Sequence, residues 1–207
     1  MKHSNRTISL LCVAAIITCS MPAFAQPPST SGLPGLRIEA DAVNEEPAIA
    51  RGAEEWEVVI PKKLSIALLK AAPRFRILAP ALFAKKKDSA GIRAASNALI
   101  ADFDGDRRSD LIVIGAVDNA LIAMAALSNR GQWIVHAVQV DNHDVNFNVH
   151  NGIERYVKYF PKGSMLPDRT GRKSSGPGFS FWDDDRGGDL FFLTRGNKWV
   201  RAVVVGD

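Results

Sequence analysis

The stretch D-F-D-G-D-R-R-S-D at residues 102–110 constrains this chain more than any other feature of the sequence. It places carboxylates at positions 1, 3, 5 and 9 of a short loop, which are Asp102, Asp104, Asp106 and Asp110. Four acids this close repel one another unless a cation lies between them, and ligands that are all oxygen suit Ca²⁺. An apolar run, L-I-V-I, follows at once. The pattern therefore predicts a calcium-binding loop that leads into a buried strand.

The N-terminus is typical of an export signal covering residues 1–25. Lys2 and Arg6 supply the basic start, residues 8–17 form an apolar run, and A-F-A at residues 23–25 is a cleavage signal. That run is too short to span a bilayer. A lipoprotein anchored at Cys19 is the alternative, but Thr18 is a poor residue before a lipidated cysteine. We expect cleavage after Ala25 and a periplasmic or secreted protein without a transmembrane segment.

Composition narrows the classes of function for the remaining chain of about 180 residues, a length that suits one domain. Both cysteines, Cys12 and Cys19, lie in the signal, which excludes thiol catalysis and cysteine-ligated zinc in the mature protein. The formal charge of +4 falls to +2 when Lys2 and Arg6 are removed without any acid. So small a charge gives no support to nucleic-acid binding or a membrane-surface role. We expect a monomer.

The chain is organised as a flexible Pro/Ser/Gly-containing leader at residues 26–50 and a single β-rich domain at residues 51–207. Leu64, Ala67, Leu68 and Ala71 recur at helical spacing, so residues 62–72 predict an amphipathic helix that stops at Pro73. Apolar runs at 111–117 and 121–127 flank D-N, a hairpin turn signal, and a third strand is predicted at 133–140. The polar connection at 161–178 lacks a hydrophobic period.

The C-terminus partly repeats the acidic stretch. Residues 182–190 align with residues 103–111, and Asp183, Asp185 and Asp189 coincide with Asp104, Asp106 and Asp110. The position of Asp102 is taken by Phe181, so this second loop is a weaker metal site or a metal-free acidic turn. Repetition on this scale is typical of modular β architecture. We therefore predict a mainly β (α+β) fold of antiparallel modules of propeller-blade type, with an N-terminal amphipathic helix.

Residues 102–111 resemble the FG-GAP/VCBS-type repeats, whose pattern is D-x-[DN]-G-D-G-x-x-D-[LV] followed by a strand. The looser likeness gives units near 97–140 and 179–207. The resemblance implies calcium held by the four carboxylates of the first loop, with the backbone carbonyl of Arg108 as a further ligand. Arg107 stands where the family has glycine, at a point where a sharp loop often needs positive φ, which costs other residues about 1 kcal/mol. Arg107 and Arg108 also add positive charge, so weak binding is expected.

Two other groups of residues are candidates for partner or substrate contacts. Lys162, Arg169, Arg172 and Lys173 could dock an anionic partner, or they could simply form a solvated loop. His143, Asp144, His150 and Glu154 could serve a hydrolase, although their spacing matches no ligand or catalytic pattern. We expect a non-catalytic binding module for a protein or envelope component, such as an inhibitor or immunity-type protein. A periplasmic hydrolase around residues 141–154 and a structural module of a larger assembly are the alternatives.

Overall fold

The structure is a computed structural model that describes residues 36–39, 46–51, 56–79, 82–83, 93–141, 153, 155–166, 171–182 and 188–202. Within these residues it contains thirteen strands and one helix, and nearly all strand pairs are antiparallel. The prediction of a mainly β fold is confirmed. No helix among the described residues is long and apolar enough to cross a membrane.

The elements form three sheets. The first has the order β1-β3-β2 and is followed by the helix; its elements are β1 (Leu36–Glu39), β2 (Ala48–Arg51), β3 (Trp56–Pro61) and α1 (Lys62–Ala71). The central sheet has the order β5-β6-β7-β8-β9, and β4 also pairs with β7; the strands are β4 (Arg76–Ile77), β5 (Arg93–Ala95), β6 (Ala98–Ala101), β7 (Asp110–Val117), β8 (Ala120–Asn129) and β9 (Gln132–Asp141). The last is a four-stranded meander of β10 (Tyr156–Phe160), β11 (Gly178–Trp182), β12 (Leu190–Leu193) and β13 (Trp199–Ala202).

The central sheet is buried on both faces. Alternate residues of β7, such as Ile112 and Ile114, pack with Phe179 and Phe181 of the C-terminal meander. The residues between them, such as Val113, pack with the first sheet and α1. Burial on both faces explains why β7 and β8 are continuous apolar runs, where a strand with one wet face would alternate.

Helix α1 lies where the spacing of apolar residues predicts it. Its apolar stripe buries Leu64 and Leu68 against the central sheet, while Ile66 on the outer side is 57% exposed. The helix begins directly after Pro61, which cannot continue a sheet ladder as a donor, and ends just before Pro73. Lys70 lies in the last turn, where a cation is favoured by the helix dipole.

The two similar units differ in which pair of strands the acidic stretch connects. In the first, β6 to β9, the acidic loop joins the first and second strands, and R-G at residues 130–131 turns the third strand into the fourth. In the second, β10 to β13, the acidic stretch joins the second and third strands, so the R-G turn follows after only one more strand. The turns also differ, since Arg130 and Gly131 both have positive φ whereas Asn197 has it in the second unit. The alignment of the two acidic stretches therefore matches segments that connect different pairs of strands in the two meanders.

The polar connection after β10 is more regular than its sequence indicates. Leu166 N–H donates to Arg172 O at 2.9 Å and Ser174 N–H donates to Ser164 O at 2.8 Å. Met165 and Lys173 form an antiparallel bridge. Residues 164–166 and 172–174 thus pair as a narrow ladder, which a search for hydrophobic period could not detect because its partners are backbone groups.

Candidate functional site

Three of the four predicted carboxylates converge in the acidic loop. Strand β6 ends at Ala101, so Asp102 leaves the sheet directly and the chain returns to it at Asp110. One carboxylate oxygen from each of Asp102, Asp104 and Asp106 lies within 4.8 Å of the other two. Three hard, negatively charged oxygens at this separation form a donor set that fits Ca²⁺.

Backbone amides of the loop fix the orientation of these carboxylates. Asp102 accepts hydrogen bonds from the N–H groups of Gly105 at 2.6 Å and Arg107 at 2.9 Å, one on each oxygen. Asp104 Oδ1 accepts from Asp106 N–H at 3.1 Å. A carboxylate oxygen has two lone pairs, so an oxygen that accepts one amide can still bind a cation. The loop is therefore preshaped by its own amides and keeps donor capacity on the three acids.

Arg107 occupies the strained position that the sequence predicts. Its φ is +67°, and Gly105 two residues earlier has φ of +86°. Glycine adopts this left-handed region freely, but a residue with a β-carbon pays about 1 kcal/mol or more. The loop therefore carries a conformational cost at the one position where its motif departs from the glycine pattern.

Arg108 contributes to the loop through its amide and its side chain. The amide donates to Asp106 Oδ1 at 2.8 Å, and the guanidinium Nε lies 3.9 Å from Asp106 Oδ2. Both groups are partly exposed, so the ion pair is weak. It nevertheless places positive charge beside an acid of the donor set, which opposes cation binding. The ligand role of the Arg108 carbonyl stays a prediction.

Asp110 stands apart from the converging group and fastens the loop to the sheet. Its side chain is fully buried; Oδ2 accepts from Phe103 N–H at 2.7 Å and Oδ1 from Ser128 N–H at 2.8 Å. Burial raises the pKa of Asp110 to about 7, the two amides oppose that rise, and the charges of Asp104 and Asp102 add to it. The carboxylate links the start of the loop, the start of β7 and the end of β8. Its predicted role as a metal ligand stays a prediction.

The acids of the donor set repel one another. Burial, together with the nearby charges of Asp106 and Asp102, raises the pKa of Asp104, although the Asp106 amide acts in the opposite direction. The loop therefore brings negative charges together at a cost in free energy. A divalent cation between them would remove the part of this cost that comes from repulsion.

Phe103 anchors the loop to the C-terminal meander. Its ring is 1% exposed and makes edge contacts with Tyr159 and Trp199, with centroids 5.7 and 5.8 Å away. Trp199 in turn contacts Phe179, which stacks on Phe191 at 5.1 Å. A loop that begins on the central sheet is thus inserted into the aromatic core of the second unit. The site depends on the packing of the two sheets.

A cleft of about 470 Å³ lies beside the loop. Asp102 and Asp104 line it together with Lys162, Arg195 and Asn197, which lie in connections between strands of the C-terminal meander. Of the four basic residues predicted for a partner, Lys162 lines this cleft, Arg172 and Lys173 are exposed outside its lining, and Arg169 is outside the described residues.

The remaining predicted residues are only partly described. Asp183 and Asp185 of the second acidic stretch lie outside the described residues, and Asp189 forms an ion pair with Arg201. The alternative hydrolase residues, His143, Asp144, His150 and Glu154, also lie outside the described part of the chain.

The sequence pattern missed three residues that the fold brings to the site. Arg195 and Asn197 reach the cleft from the turn between β12 and β13. Glu46, two residues before β2, accepts a hydrogen bond from Ser109 Oγ at 2.7 Å. The sequence R-G-N at residues 195–197 is typical of a turn, but its proximity to the acidic loop depends on long-range packing.

No family model, no curated protein and no solved structure matches this chain. Function is therefore inferred from the loop, its packing and the cleft beside it.

Proposed function

We propose that the protein is an exported, calcium-stabilised binding module that recognises a protein or envelope component without catalysis. The observation that carries this proposal is the convergence of the Asp102, Asp104 and Asp106 oxygens within 4.8 Å, on a loop inserted between two sheets. A cation held there would fix the loop and, through Phe103, the contact between the units. The adjacent cleft offers a surface for recognition.

The same proposal includes a relationship with FG-GAP/VCBS-type repeats. Two consecutive antiparallel meanders, β6 to β9 and β10 to β13, pack through a shared core, which is the arrangement expected for modules of propeller-blade type. The acidic loop of the first unit matches the repeat motif except at Arg107. The export signal at residues 1–25 would deliver the protein to the periplasm or the medium, where millimolar calcium can fill a weak site.

Thermal unfolding of metal-stripped protein tests the calcium step. With a dissociation constant of about 1 mM, 10 mM Ca²⁺ should add about 1.4 kcal/mol of stability and raise Tm by about 3–5 °C. Asp106→Ala should abolish this response, because it removes one of the three converging carboxylates. Asp185→Ala, at the aligned position of the second stretch, is the matched control and should respond almost fully. A Tm that is the same in calcium and in chelator would refute the proposal.

The binding role needs a separate measurement. Immobilised mature protein should retain a specific component from a native envelope extract in the presence of calcium and release it when a chelator is added. Immobilised Asp106→Ala protein serves as the control for binding that does not involve the loop.

A further inference from the structure

The lining of the cleft beside the acidic loop carries charges of both signs. Two acids, Asp102 and Asp104, and two basic residues, Lys162 and Arg195, line it. Both basic side chains are exposed, and neither forms an ion pair with any residue that the structure describes. Basic side chains that line a cleft without an acidic partner among the described residues remain available for an anionic ligand.

The size and lining of the cleft fit a small polar ligand. Its volume of about 470 Å³ falls within the range of small-molecule sites. Tyr159, which is half-buried, also lines it and contacts the buried ring of Phe103. Asn197, on the same turn as Arg195, adds amide donor and acceptor groups to the lining.

The charge expected for the ligand depends on whether the acidic loop holds a cation. Three carboxylates converge in the acidic loop, and a divalent cation would offset two of their three charges. Repulsion of an anion by the loop would then be small, while Lys162 and Arg195 would still attract it. We propose that the cleft binds a carboxylate or phosphate group of a small ligand between Lys162 and Arg195, and that calcium in the loop strengthens this binding. The coupling rests on the calcium binding proposed above.

Titration of ¹⁵N-labelled mature protein by NMR tests the site with three sugars: glucuronate, glucose 1-phosphate and uncharged glucose. The two anionic sugars should shift the amide signals of residues 175, 176 and 194–197 saturably, and glucose should not. Lys162→Ala and Arg195→Ala should each weaken binding about tenfold, because each removes one charge-assisted hydrogen bond. Arg195→Lys should retain most of the affinity. Lys173→Ala, an exposed lysine outside the lining of the cleft, should have no effect.

The comparison of calcium-loaded and chelator-treated protein separates the two proposals. Anion binding that is severalfold tighter with calcium supports the inference, and the sugar that binds more tightly identifies the group as carboxylate or phosphate. If calcium raises Tm but no anion gives saturable shifts, the cleft inference is wrong and the calcium proposal stands. Equal binding of glucose, or anion binding that calcium leaves unchanged although it raises Tm, would also overturn the inference.

Discussion

Asp110 and Asp189 hold the same place in two similar acidic stretches, yet their surroundings differ. Asp110 begins β7, is fully buried and accepts two backbone amides from different segments. Asp189 directly precedes β12, has a side chain 17% exposed and pairs with Arg201. A carboxylate that satisfies buried amides is difficult to replace, whereas an ion pair near the surface contributes little. The first stretch is therefore built into the core, and the second lies closer to the surface.

The aromatic residues of the two stretches show the same contrast. Phe103 is inserted into the aromatic cluster between the sheets. Trp182, its counterpart in the alignment, is half-buried and contacts Phe160 and the ammonium of Lys158, which lies 4.6 Å from the ring centroid. Substitutions at the two pairs of positions can therefore show whether the first stretch holds the units together.

The largest expected effect is that of Phe103→Ala. Removing a ring that is 1% exposed leaves a cavity between the two sheets, and losses at such sites are about 4 kcal/mol. Trp182→Ala should cost about 1–2 kcal/mol, because its ring is half-buried and the site can refill with water. Urea unfolding of both variants measures the difference. Equal losses would mean that Phe103 does not couple the units more than Trp182 does.

Asp110→Ala should reduce the free energy of unfolding by about 3 kcal/mol, because it leaves the amides of Phe103 and Ser128 buried without acceptors. Asp189→Ala should cost about 1 kcal/mol or less. Urea unfolding at pH 5.5 is the measurement, since Asp110 is mostly protonated there. A larger loss for Asp189→Ala than for Asp110→Ala would contradict the contrast between the two stretches.

The pH dependence of stability gives a further test of Asp110. Its folded pKa of about 7 lies above the ordinary value of 3.8, so the folded state holds the proton more tightly. The contribution of Asp110 to stability is therefore complete below its ordinary pKa of 3.8 and is lost as the pH rises toward 7; this loss should lower stability by about 2 kcal/mol between pH 5 and 6.5 in metal-free protein. The Asp110→Asn variant should lack this slope. Calcium should reduce this pH dependence only in part, since burial is the main cause of the raised pKa of Asp110 and persists when the ion binds. Wild-type stability that rises over this interval would exclude a raised pKa.

The sequence predicted the parts of the fold that local patterns determine. Continuous apolar runs identified β7 and β8, the turn at residues 118–119 connected them, and helical spacing located α1. The positive φ of Arg107 also followed from a local rule, because the loop must bend sharply where its motif normally has glycine.

The tertiary contacts of the site could not be predicted in the same way. Position 9 of the motif indicates a ligand at Asp110, but only the pairing of β7 and β8 shows that Ser128 N–H reaches it. Arg195 resembles any solvated arginine in a turn, and only the packing of the meander brings it to the cleft. Where a site depends on long-range contacts, the sequence shows which chemical groups are present but does not show which residues contact them.

Arg107→Gly should have the smallest effect on stability. It tests the cost of positive φ inside the acidic loop of the first unit. Glycine removes the cost of φ at +67° but increases the entropy of the unfolded chain, so a net gain of about 0.5–1 kcal/mol is expected. It also removes a positive charge from the acidic loop, so the rise of Tm with calcium should increase.

Arg130→Gly is the matched control for this change, because Arg130 also has positive φ, at +47°, but lies in the turn between β8 and β9. It should give a similar gain in metal-free stability and leave the calcium response unchanged. Calorimetric titration of calcium into both variants measures the change in calcium affinity, and unfolding curves for each measure the change in metal-free stability. If both variants bind calcium more tightly, the effect of Arg107 comes from general loss of charge. If only Arg107→Gly does so, the conformation and charge of the loop itself limit its affinity.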